Sequence, residues 1–316
     1  MKEKNLLDFF KKVFSYPKKD GLLIGPGDDC AVADIKNGKY VLLTTDEVQE
    51  GTHFLTNFTK PELLASKLVR MNVSDIYSMG KAKPLFCVVA GGIGKNISEK
   101  WIKRFSVSLR KEAALFGMKI AGGNLCKADK THFSMTVLGT AEKKRLMLRK
   151  GAKEGDLIMG AGSLGEAKAG LEILISGGPK NKIERKLVDS FWKPKICVKE
   201  SDKISKYASC MLDNSDGLFK SLEILSLENS LKAECEIPIF SVSNNLIKWC
   251  EIENKNWKKY ALEGGEDYGL IFCAAAKFLK KIKKEIPQCY VLGKMKKGKG
   301  VLIKNYEAEI RAFEHF

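Results

Sequence analysis

The 316-residue chain predicts an α+β or mixed α/β protein built in two halves. Apolar runs of strand length are interspersed with segments of helical periodicity, without the strict strand–helix–strand rhythm of a doubly wound sheet. The turn-rich stretch RKGAKEGD, residues 149–156, separates two series of such segments. The length suits one large domain or two ordinary ones. A hydrophobic fraction of 44% and a charged fraction of 29% are those of an ordinary globular protein.

In chain order, residues 1–20 carry an amphipathic pattern that predicts a helix ending near Pro17. Lys39–Thr45 (KYVLLTT) predicts a buried strand, because its apolar run is short and rich in strand formers. Pro61–Met79 predicts a helix: its apolar residues recur at helical spacing and Pro suits a first turn. Leu85–Ala90 predicts a strand and Glu99–Phe116 an amphipathic helix. Lys119–Ala121 leads into a Gly-Gly turn, followed by a strand over Phe133–Gly139. The second half restarts with a strand (Leu157–Met159), a Gly-rich turn and a helix (Glu166–Ser176). A Lys-rich helical region, ASCMLDNSDG, a further helix, the strand-like AECEIPI and LEGGEDYGLIFCA follow. YVLGKM and VLIKN predict two closing strands.

The formal net charge is +17. The excess is mostly Lys on helical faces and in the loop GKMKKGKG, and no aromatic-basic motif for stacking bases occurs, which argues against a nucleic-acid partner. A basic surface suits polyanionic small substrates equally well. Nine scattered Cys without C-x-x-C predict reduced, mostly buried thiols, and three separated His argue against a zinc site. There is no run of about 18 apolar residues and no secretory h-region, so the cytoplasm is the expected location.

The acids gather in turns beside Gly or Ser: GPGDDC (Asp28, Asp29), TTDEVQEG (Asp46, Glu47), NVSDIYSMG (Asp75), LDNSDGL (Asp213, Asp216) and LEGGEDYG (Glu266, Asp267). One such acid is an ordinary turn or cap residue. Five acidic turns in a basic chain point to a cation site, because clustered carboxylates repel one another and an anionic substrate unless a hard cation joins them. Mg²⁺ takes oxygen ligands from one or two carboxylates, water and phosphates. GAGSLG (160–165) matches G-x-G-x-x-G, either as a tight strand-to-helix turn or as an anion-contacting one. The P-loop motif and the protein-kinase signatures are missing.

In this order GDDCA (27–31), TTDEVQEGTHF (44–54), NVSDIYSMG (72–80), AGGN (121–124), LRKGAKEGD (148–156), DNSDGL (213–218), GGEDY (264–268) and AFEHF (312–316) resemble the motifs of thiamine-monophosphate kinases, in the superfamily of aminoimidazole ribonucleotide synthetase. The resemblance implies a two-domain fold: residues 1–148 as an ATP- and Mg-binding domain that dimerises through its sheet, and 149–316 as an α/β domain completing the cleft. It implies ATP as co-substrate, thiamine monophosphate as acceptor, several Mg²⁺ ions and a homodimer. Asp29, Thr44, Thr45, Asp46, Asp75, Asp213 and Asp216 would surround the metal; Gly123, Asn124, Arg149 and Ser215 would contact ATP; His53, Glu266 and Phe313 would meet the thiamine phosphate. No further catalytic residue is implied beyond metal and phosphate positioning. The chain departs from the family at Asn124-Leu125, where Asp-Thr is usual, at Lys193 and Lys195, where Arg is frequent, and at Gln49 in place of Val. Another ATP-dependent enzyme of the superfamily, acting on a different small molecule, is the alternative within enzymes, and a basic nucleic-acid-binding protein is the alternative outside them.

Overall fold

Among the described residues, apolar runs sort the chain into two six-stranded sheets with helices packed on them. The computed structural model describes residues 21–25, 27–35, 38–56, 59–304 and 306. The helix expected over 1–20 and the AFEHF segment with Phe313 lie outside the described residues.

The first half runs β1 (Leu22–Ile24), β2 (Ala31–Asp34), β3 (Lys39–Gln49), α1 (Pro61–Ser78), β4 (Gly80–Ile93), α2 (Glu99–Leu115), β5 (Lys119–Lys127) and β6 (His132–Leu146). Its strand order is β1-β2-β3-β6-β4-β5. All pairs are antiparallel except β4 with β5. The second half runs β7 (Leu157–Ala161), α3 (Glu166–Ile175), α4 (Lys182–Trp192), α5 (Val198–Ile204), β8 (Ala208–Asp213), α6 (Leu218–Asn229), β9 (Lys232–Cys235), α7 (Asn244–Ile252), α8 (Trp257–Glu263), β10 (Leu270–Ala274), α9 (Leu279–Glu285), β11 (Tyr290–Lys296) and β12 (Val301–Ile303). Its order is β12-β9-β11-β7-β10-β8. The five-residue strands β7 and β10 are apolar on both faces and wholly buried, as central strands covered by helices must be.

Helix α1 positions the site. Pro61 opens it, where a missing N–H costs nothing. The helix is buried on nearly every side because it packs on β3, β4 and β6 of the first sheet and also meets β8, α4 and α5 of the second half. Polar contacts pin the halves together around it. Arg70 donates to the Pro194 carbonyl at 2.7 Å, and Ser201 Oγ donates to the Gly80 carbonyl at 2.7 Å.

Most expected strands are present but longer than their apolar cores, because backbone pairing continues through polar residues such as Thr140 and Glu142. The Gly-Gly turn expected after Ala121 is instead the middle of β5. A Cβ at Gly123 would stand 2.0 Å from the Val89 carbonyl, so glycine lets β5 lie close against β4. All nine cysteines are free thiols, eight of them buried and Cys126 exposed.

Candidate active site

Four acids from four separate elements converge where α1 meets both sheets. The β1–β2 turn supplies Asp29, whose Oδ2 accepts the Asp213 N–H at 3.3 Å. Strand β3 supplies Thr44 and Asp46, which share a face by the period-2 alternation of a strand. Thr44 Oγ1 donates to Asp75 Oδ2 at 2.6 Å, and the Asp46 N–H donates to Asn72 Oδ1 at 3.1 Å. Ser74 Oγ donates to Asp213 Oδ2 at 2.8 Å, tying α1 to the end of β8. Ser215 Oγ donates to the other oxygen of Asp213 at 3.2 Å. The Glu266 N–H donates to the Ser215 carbonyl at 2.5 Å, so the turn after α8 closes against the turn after β8.

The charges are out of balance. Burial raises the Asp75 pKa well above the ordinary carboxylate value, and the neighbouring charges of Asp46, Asp213 and Asp29 push it further. Burial, with Asp29 beside it, pushes Asp213 up to about 8. The same two causes push Asp28 up to about 7. Burial opposes the charge of Arg149, but the Asp29 carboxylate outweighs it and the guanidinium is held more firmly protonated. Arg149 Nε donates to Asp29 Oδ1 at 2.8 Å, and the Arg149 backbone N–H donates to Asp28 Oδ2 at 3.1 Å. The residue expected to contact ATP is thus paired with an expected metal ligand. Cys30 lies among the same acids; burial and the charge of Asp75 push its thiol pKa up, which makes it a poor nucleophile.

The donor set suits a hard cation: carboxylate and hydroxyl oxygens whose mutual repulsion a bound positive charge would relieve. Among the described residues no group of three or more His, Cys, Asp or Glu is placed to hold a metal ion alone.

Other expected residues fall elsewhere. Thr45 projects from the opposite face of β3, where its hydroxyl donates to the Met135 carbonyl at 3.2 Å and accepts from Thr136 Oγ1 at 3.1 Å. Asn124 pairs with Ala90, which pairs with Ser134, which pairs with Glu47. That register puts its side chain on the outer face with Thr45, away from Thr44 and Asp46. Gly123 lies in the row of Asp46, three strand spacings across the sheet, or about 14 Å. His53 sits in the turn after β3, with its Nδ1 accepting the Gln49 N–H at 3.1 Å. Sequence reasoning missed the supporting residues Asn72 and Ser74, although both lie inside NVSDIYSMG, and it missed Lys67 of α1. Nothing in the local pattern distinguishes Lys67 from a surface lysine.

The Gly-rich turn 160–165 is already satisfied. Asp267 accepts the Gly165 N–H at 2.5 Å and the Ala167 N–H at 3.1 Å, so the anion at the start of α3 is the protein's own carboxylate.

A family model described as AIR synthase related protein, N-terminal domain, matches residues 27–141. The thiamine-monophosphate kinase of Aquifex aeolicus (strain VF5) is 30% identical over 291 residues, covering 92% of this chain and 92% of that protein. That of Buchnera aphidicola subsp. Schizaphis graminum (strain Sg) is 34% identical over 328 residues, 99% of each. The solved structure of AaThiL complexed with AMPPCP and TMP matches with a TM-score of 0.87 at 30% identity, covering 100% of this chain and 97% of that one. The likeness covers nearly the whole chain, and by it the chain belongs to the thiamine-monophosphate kinase family.

Proposed function

We propose that this chain transfers the γ-phosphate of ATP to the phosphate of thiamine monophosphate, giving thiamine diphosphate and ADP. The observation that carries the reading is the convergence of Asp29, Asp46, Asp75 and Asp213, from four elements of both halves, into one largely enclosed, electrostatically unbalanced cluster. An oxygen of the acceptor phosphate attacks the γ-phosphorus in line, the bond to the bridging β-oxygen breaks, and ADP leaves. A phosphate monoester has a second pKa of about 6, so the attacking oxygen already carries its charge at neutral pH and no strong base is required. That fits a site rich in Asp, in which Cys30 is buried and His53 lies in the turn after β3.

Asp29, Thr44, Asp46, Asp75, Asp213 and Asp216 are the residues that would hold Mg²⁺, with several ions present. Bound Mg²⁺ supplies charge neutralisation at the phosphates. Ser74, Thr44 and Ser215 fix the carboxylates in place, and Arg149 is a cation at the edge of the cluster able to face a triphosphate. His53, Glu266 and Phe313 remain the proposed contacts of thiamine monophosphate. Thr45, Gly123 and Asn124 would act through main-chain groups or towards a second copy of the chain.

The functional division is 1–148 and 149–316, and the assembly is a cytoplasmic homodimer. Leu43, Leu138 and Phe86 lie in one row across β3, β6 and β4 with Val88 beside them, all well exposed. A contiguous apolar sheet face of this kind is a contact surface. Among the described residues no helix is long and apolar enough to cross a membrane.

The test is a product assay. ATP, Mg²⁺ and thiamine monophosphate should yield thiamine diphosphate on chromatography, with little phosphorylation of free thiamine. Turnover of thiamine with none of the monophosphate would sink the reading.

A further inference from the structure

Lys67 sits mid-helix in α1 and is 0% exposed. Its ammonium lies 2.6 Å from Glu266 Oε1, 3.6 Å from the ring centroid of Phe191 and 5.6 Å from that of Trp192. Desolvation weakens its hold on the proton, and Glu266 is the charge that works against that loss. A site walled by two aromatic rings would accept an apolar side chain at least as well, because a buried ion pair is rarely better for stability than packed hydrocarbon. The charge therefore calls for a reason other than packing.

Glu266 supplies one. Its backbone is in the left-handed region at φ +63°, where a non-glycine residue persists only if its surroundings hold it. Its N–H is taken by Ser215, the neighbour of the acid cluster. Its side chain is 27% exposed, so the pair is closed at the lysine end and open at the carboxylate end.

We propose that Lys67 is a positioning residue for the substrate: it holds the Glu266 carboxylate by one oxygen and leaves the other for the cationic heteroaromatic end of thiamine monophosphate. This rests on the reading that Glu266 meets that substrate. Lys67 ties the recognition carboxylate to the helix that also carries Asp75, so acceptor and phosphates are set from one rigid element.

Steady-state kinetics of Lys67→Met, Lys67→Arg, Glu266→Gln and the Lys67→Met/Glu266→Gln double variant test it, with melting temperatures alongside. Loss of a charge-assisted contact predicts that Lys67→Met raises KM for thiamine monophosphate by about tenfold or more while KM for ATP moves less than about twofold. Lys67→Arg should stay within about threefold of wild type, and the double variant should be no worse than the worse single one. Equal rises in both KM values, additive effects, or an unchanged KM for thiamine monophosphate would overturn the proposal. If Lys67→Met does not fold, Phe191→Leu keeps both charges but removes the aromatic face. It should raise KM for thiamine monophosphate alone, and no selective rise would count as failure. Wild-type protein that makes no thiamine diphosphate would overturn the functional reading and this one with it; active wild type with an indifferent Lys67 would overturn this one only.

Discussion

Asp75 shows how a single residue is placed under load. It is half-buried on α1 with the charges of Asp46, Asp213 and Asp29 around it, and the Thr44 hydroxyl at 2.6 Å acts in the other direction. Asp75→Asn preserves shape and removes one of the repelling charges. Unliganded protein should melt at the same temperature or a few degrees higher. Turnover at ordinary Mg²⁺ should fall by about a hundredfold or more, the scale seen when a preorganised electrostatic group is removed. Scanning fluorimetry and the product assay read the two effects, and near-normal turnover would show that Asp75 is not part of the working site. The acids of this cluster were legible because Gly and Ser flank them in ordered motifs. Asn72 and Ser74 were not, since their roles depend on which face of α1 meets Asp46 and Asp213.

At the scale of elements, the start of α3 decides between two readings of one motif. G-x-G-x-x-G at a helix N-terminus offers free N–H groups to a phosphate. Here Asp267 has taken the Gly165 and Ala167 donors. Burial raises its pKa above the ordinary carboxylate value, while those two N–H groups pull it the other way. Asp267→Asn would replace one acceptor with an N–H₂ group facing an N–H. It should lower stability by about 2 kcal/mol, the cost of leaving a buried donor unmet, as measured by urea unfolding. KM for ATP in the folded fraction should not change, and a selective rise there would restore the phosphate reading of the turn.

For the whole molecule, the outer face of the first sheet carries the testable consequence. Phe86, Val88, Leu43 and Leu138 are between 37% and 48% exposed and lie on adjoining strands. Burying such a face against a second copy removes it from water at about 25 cal/mol per Å². Light scattering at micromolar concentration should give twice the chain mass. Phe86→Glu should shift it toward the single chain by placing a like-charged pair in the interface. A wild-type chain of monomer mass would refute the assembly.

What the sequence determined by itself is whatever depends on local spacing. Apolar periods placed the long helices Pro61–Ser78 and Glu99–Leu115 and the cores of the long strands, and the acidic motifs marked the segments that make the site, although Asp46 lies within a strand and Asp75 within a helix where turns were expected. Tertiary structure decided everything that depends on a partner distant in sequence. Strand β5 runs through Gly122 and Gly123 because β4 lies close beside it. Thr45 and Thr44 are neighbours in sequence but face opposite ways, since a strand alternates its side chains and only the packing of α1 chooses which face is the inside. Lys67 reads in sequence as one more lysine of a basic chain. It becomes a buried cation only because α4 and the Glu266 turn, some 120 and 200 residues further on, close over it.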